Sequence, residues 1–279
     1  MKDQRQPEGL IPELTPIRAP AAPKRIETPK HYIYQEPRIS ATKLAEYAVA
    51  SPSRQKTIAQ NAKVAPRLLL APYREARDAF SRAYTHGGIN PDYLLRIAKD
   101  LDARVPESPW QKSENPRSSA ALKRLAKVVD QIDCQGGHII HRPQGGWGGI
   151  KIAGVYVSVN PELVFSIIHR GLPKVGGAIL NTGQNAALSL SRSHDGHSVG
   201  DYLTTLLYRM LELRLNTTGI PLHTRCYAID IAREAIYTAP SSHKRLLKNL
   251  DAACEVIAMR WDSIDVESVI ESDAIEEDL

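Results

Sequence analysis

The sequence predicts a mixed α/β protein, with a helical N-terminal region followed by a mixed sheet flanked by helices. Three observations predict it. Apolar residues recur at the helical period, between capping signals, over residues 40–104. From residue 138 onward, short runs rich in β-branched residues read as strands. A long apolar segment, residues 199–218, separates the third strand from the fourth, as a crossover helix does when the strands it joins are parallel.

The elements follow in order. Seven of the 19 prolines fall within residues 1–37, among Arg and Lys. Proline fixes φ and lacks an N–H, so this stretch reads as a disordered basic arm that joins neither sheet nor helix. Residues 38–104 read as a helical region. Leu44, Ala45, Ala48 and Val49 share one face of its first helix, and Ser51-Pro52-Ser53 separates a second. A third opens at Pro72 and closes at Gly87-Gly88, and Asn90-Pro91 caps a fourth. Residues 105–117 hold three prolines and read as a linker.

Residues 118–261 read as the α/β core. A helix over 118–134 turns Leu122, Leu125, Val128, Val129 and Ile132 inward. Residues 138–142 form a short strand candidate, and residues 150–159 alternate as one strand should. The glycine-rich 143–149 between them has no following helix and no Lys-Ser/Thr, so it is no phosphate loop. Apolar runs at 162–169 and 174–181 are joined by a tight turn at 170–173. The crossover helix, a strand pair at 226–231 and 234–239, and a final helix ending at Trp261 complete the order. It is summarised as helix, three strands, long helix, two strands, helix.

Composition bounds the function. The chain has 279 residues, 42% of them hydrophobic, enough for a sizeable core. Cys134, Cys226 and Cys254 are far apart with no Cys-x-x-Cys pair, which argues against a disulfide framework and a cysteine metal site and for buried free thiols. No apolar run approaches the ~20 residues needed to cross a bilayer, and the N-terminus lacks a secretory signal, so a cytoplasmic protein without membrane contact is expected. The net charge of +5 is unevenly placed. Residues 1–77 carry 14 Lys and Arg against 7 Asp and Glu, whereas the tail, 262–279, carries eight acids and no Lys or Arg. A basic body suits a polyanionic partner, with the tail competing for the same surface; solubility is the plainer explanation of the same pattern.

The order of helix, three strands, crossover helix and strand resembles the PD-(D/E)xK nuclease core, a restriction-endonuclease-like fold. Two local stretches point to its RecB/Cas4-like branch. Residues 39–47 followed by Ser51-Pro52 resemble that branch's opening helix, where a Ser-x-Ser/Thr-x-Leu stretch leads to Cys-Pro. Ser51 stands in the cysteine's place, so the iron–sulfur cluster of some members is not expected. Residues 160–165 resemble the segment with the first catalytic acid, which puts Glu162 there, and residues 177–180 the second motif. Active members present an acid and, two residues later, a lysine at that motif, holding Mg²⁺ and the attacking water. Here those positions are Ala178 and Leu180. The resemblance therefore implies a degenerate site.

Three readings follow. The first is a nucleic-acid-binding protein on an inactivated core, gripping DNA or RNA through Lys151, Arg170, Lys174, Arg192, Lys244, Arg245 and Lys248. The plainer reading of the same residues is that they are the wet faces of amphipathic elements, the usual fate of such side chains. The second is a divergent Mg²⁺-dependent nuclease, with Glu162 as metal ligand and Lys174 as its catalytic partner, or with groups from the 184–197 loop. The third is a scaffold whose proline-rich arm and helical region dock partner proteins. Asp195 and the histidines at 194 and 197 offer metal-ligand types in a Ser/Gly-rich loop, where a solvated turn is the plainer reading. Ser189, Ser191 and Ser193 beside them lack a nucleophile elbow. Asp230 is either a site acid or a cap on the strand end.

Overall fold

The computed structural model describes residues 25–27, 31–66, 72–85, 88–134, 136–143, 146–183, 192–193, 195–267 and 270. Within the stretch expected to be an arm, β1 (Arg25–Glu27) and β2 (His31–Tyr34) pair antiparallel, and β2 also pairs with β4 (Val64–Pro66). The expectation that 1–37 joins no sheet is thereby corrected. Pro37 follows β2 rather than interrupting it, and outside a strand interior a sheet tolerates proline. The Trp261 indole donates to the Tyr34 carbonyl at 3.1 Å and ties β2 to the body. Residues 1–24 lie outside the described residues.

β3 (Arg38–Ser40) runs into α1 (Ala41–Val49), where the Ser40 hydroxyl accepts from the Lys43 N–H. α2 (Pro52–Lys63) begins on Pro52, which has no N–H to leave unpaired. α3 (Arg74–Arg82), the small hairpin of β5 (Tyr84–Thr85) and β6 (Gly88–Ile89), and α4 (Pro91–Ala103), capped by Asn90, follow. The linker reading fails over 109–117, because α5 spans Pro109–Ala126. Ser108 caps it and Pro109 occupies its first turn; only Pro116 is internal, at a cost of about 3 kcal/mol. Burial of Ala121, Leu122 and Leu125 in the same helix opposes that cost. The helix stops at Ala126, and only a 3-10 turn, Val129–Gln131, continues helical structure within the rest of the expected segment.

Residues 150–159 are a hairpin rather than one strand. β8 (Gly149–Ile152) and β9 (Val155–Ser158) join through Ala153 and Gly154, both at positive φ, as a two-residue hairpin turn requires. β9 also pairs in parallel with β3. The central sheet is mixed, as expected. β7 (His138–Ile139) and β10 (Leu163–His169) pair antiparallel, and β10 turns through Arg170-Gly171 into β11 (Leu172–Asn181). α6 (Val199–Arg214) then crosses over to β12 (Ile220–Asp230), which lies parallel to β11, and β13 (Ala235–Thr238) closes the far edge. The strand order is β13-β12-β11-β10-β7, and α7 (His243–Arg260) ends the chain's packed body.

Alternation along these strands divides the apolar side chains between two cores. Leu163, Phe165, Ile167, Ala178, Leu180 and Ile229 pack with residues of α3, α4 and α5. Val164, Val175, Ile179 and Ala228 pack on the other face with α1, α6 and α7. The helical region read as one unit over 38–104 is thus split across both faces of the sheet. Among the described residues no helix is long and apolar enough to cross a membrane.

Candidate functional site

A cleft of about 1570 Å³ opens where α1, α3 and the first turns of α2 and α5 meet the ends of β7, β9, β10 and β11. Amphipathicity of α3 supplies one wall. Ala76, Ala79 and Phe80 are buried, so the opposite stripe of Arg74, Arg77, Asp78, Ser81 and Arg82 faces the cleft. Lys43 and Glu46 enter from α1, Arg54 from α2 and Arg142 from the segment after β7. Six cationic side chains therefore line the cleft against three acids, Glu46, Asp78 and Glu162. Tyr84, Trp110 and Trp147 add aromatic surface.

Glu162 sits just before β10, its side chain 7% exposed. One carboxylate oxygen accepts from the Arg77 guanidinium and the other from the Leu180 N–H at 2.7 Å. Arg77 also donates to the Thr182 hydroxyl at 3.0 Å. Burial pushes the Glu162 carboxyl up from its ordinary value, against the pull of Arg77 and the Leu180 N–H. Glu46, also buried, accepts from Lys43 Nζ at 2.7 Å.

The Mg²⁺ that the nuclease resemblance implies does not fit these residues. Ala178 and Leu180 are buried among α3–α5 and offer no ligand, while a guanidinium already supplies the positive charge that Glu162 needs. Among the described residues, no group of three His, Cys, Asp or Glu side chains is placed to hold a metal ion.

Of the catalytic, metal-binding and nucleic-acid-binding candidates read from the sequence, Glu162 alone is among the described lining residues of the cleft. Lys174 lies opposite Ile167 near the turn of the β10–β11 hairpin, whereas Leu163, next to Glu162, pairs with Ala178. Four strand residues, about 13 Å, part the two ends, so Glu162 and Lys174 are not brought together. Lys151 is exposed on β8 and Arg170 sits in the hairpin turn. The Arg192 guanidinium donates to the Gly196 carbonyl at 3.2 Å. Lys244, Arg245 and Lys248 are exposed on the first turns of α7, with Arg245 paired to Asp195 at 2.7 Å. Asp230 accepts from the Arg233 N–H at 3.2 Å, the capping role of the two considered. Ser193 accepts from the His197 N–H as part of a turn, and Ser189, Ser191 and His194 lie outside the described residues.

The sequence reading missed Arg74, Arg77 and Arg82, whose spacing on the polar face of α3 was the available signal. It also missed Glu46, a charged residue set among Leu44, Ala45 and Tyr47, all buried. Comparison of the chain with models of protein families and with curated proteins finds no match.

Proposed function

We propose that the chain binds nucleic acid through the cleft, on a nuclease-like core that no longer cleaves. The observation that carries this is the Arg77–Glu162 pair: a guanidinium takes the charge position of a metal, in a cleft where cations outnumber acids. Arginine forks suit phosphate oxygens, and phosphate neutralisation supplies most non-specific affinity. The resemblance to the PD-(D/E)xK core, with Ala178 and Leu180 at the second motif, supports the loss of cleavage.

The test is fluorescence anisotropy with single- and double-stranded DNA and RNA oligonucleotides in Mg²⁺, across a salt series, followed by a denaturing gel. Salt-sensitive binding with intact oligonucleotide is expected. Arg74→Ala and Arg82→Ala should each lower the slope of log affinity against log salt by about one phosphate contact. Binding to none of the four polymers overturns the reading. A second reading, a divergent nuclease, has one observation in its favour: Glu46 and Glu162 line the same cleft. Mg²⁺-dependent cleavage lost in both Glu46→Gln and Glu162→Gln would put it in place of the first.

A further inference from the structure

We infer that the acidic C-terminal segment, residues 271–279, occupies this cleft in the free protein and is displaced by nucleic acid. The inference deepens the proposed function and rests on it for the identity of the competing ligand. It starts from the charge left inside the cleft. Lys43 is answered by Glu46 and Arg77 by Glu162. Arg54, Arg74, Arg82 and Arg142 then face Asp78 as the one remaining acid among the described lining residues. Arg54 Nε is in addition buried without a hydrogen-bond partner among the described residues. A buried guanidinium N–H lacking an acceptor is destabilising, and a carboxylate or phosphate oxygen would relieve it.

The sequence holds an occupant of matching charge. Residues 271–279 carry five acids, Glu271, Asp273, Glu276, Glu277 and Asp278, with no Lys or Arg. The path is short enough. Lys63, at the end of α2, donates to the carbonyls of Trp261 at 2.7 Å and Ile264 at 3.4 Å, so the chain leaves α7 beside that helix end. Arg54 lies about 14 Å back along the same helix at 1.5 Å per residue. Residues 265–279 reach as far as ~50 Å when extended. Tethering at this range corresponds to an effective concentration near the millimolar scale, so a contact that is weak between separate molecules is substantially formed within one chain.

Affinity for a single-stranded oligonucleotide would be compared at about 50 and 200 mM salt. The proteins are the full chain, a variant truncated after Ile270, and one carrying E271Q, D273N, E276Q, E277Q and D278N. Truncation and neutralisation should each raise affinity about fivefold at the lower salt, with a smaller gain at the higher. In an Arg54→Ala/Arg74→Ala background the gain should fall below about twofold, because tail and oligonucleotide then share a weakened surface. Equal affinity with and without the tail overturns the inference and leaves nucleic-acid binding standing. An undiminished gain in the arginine-substituted background also overturns it, placing the tail on the basic N-terminal arm or another surface. A labelled peptide of residues 265–279, added to the truncated protein, gives a readout independent of nucleic acid. Saturable, salt-sensitive binding that weakens with Arg54→Ala/Arg74→Ala supports the tail site even if no oligonucleotide binds, in which case only the nucleic-acid reading fails. No peptide binding, or peptide binding insensitive to those substitutions, counts against the tail site.

Discussion

The Arg77–Glu162 pair joins residues 85 positions apart in sequence and sets the chemistry of the cleft. Burial raises the Glu162 carboxyl above its ordinary value of 4.5, so its charged form is the costly one. Its contribution favours the fold below that value and is lost as pH rises through the raised one. Arg77→Met removes the compensating charge and should cost about 3 kcal/mol at neutral pH, the lower end for a buried pair because Arg77 is itself part-exposed. The deficit should shrink as pH falls toward the ordinary carboxyl value, where protonation removes the unpaired charge. Urea midpoints of both proteins across that range check it; a deficit constant with pH would assign the loss to packing instead. The thiols give a second prediction at this scale. Burial pushes Cys134 up to about 11 and Cys254 up to about 12, and raises Cys226 as well. Ellman's reagent at mildly alkaline pH should react with none in the native protein and with all three in denaturant.

Among the elements, α6 concentrates two local devices in its first turn. Ser198 and Asp201 form a reciprocal capping box, with Ser198 2% exposed. Ser198→Ala should lower stability by about 1–2 kcal/mol, read as a shift in thermal midpoint. Gly200, two residues on, lets the Tyr237 ring of β13 lie against the helix; a Cβ there would stand 2.2 Å from the ring. Alanine gains up to ~1 kcal/mol of helix propensity but overpacks by about 1–3 kcal/mol. Gly200→Ala should therefore be a net loss, with faster amide exchange along β13; unchanged exchange there would show that the ring gives way freely. Both devices differ in how far the sequence disclosed them. The Ser-x-x-Asp spacing is visible in the chain, whereas the need for glycine at 200 depends on a strand 35 or more residues away.

For the whole molecule, the central sheet is shared by both cores, since neighbouring residues of β10, β11 and β12 point to opposite sides. Neither core can be exposed without dismantling the strands that serve the other. Far-UV circular dichroism and tryptophan fluorescence, to which Trp147 and Trp261 of one core and Trp110 of α5 contribute, should follow a single coincident unfolding transition. Two separated transitions would show that α3–α5 fold as a unit of their own. Lys63 and Trp261 extend this coupling to the N-terminal strands, because both hold the α7 end against α2 and β2.

The sequence by itself determined the mixed α/β class, the cap at Asn90, the β10–β11 hairpin and the crossover between parallel strands. Each depends on residues within a few positions of one another, or on the period of the backbone itself. Proline was the weakest guide. Its effect depends on whether it falls beyond a strand end, in a first helical turn or inside a helix, and Pro37, Pro109 and Pro116 take one of these places each. Tertiary structure alone decided that α1 and α3 lie on opposite faces of the sheet, that Arg77 pairs with Glu162, and that Arg74 and Arg82 line the same cleft. Helical periodicity shows that a face is polar but not what it faces. The cleft's charge arises from side chains contributed by separate elements, and only packing brings those elements to one place.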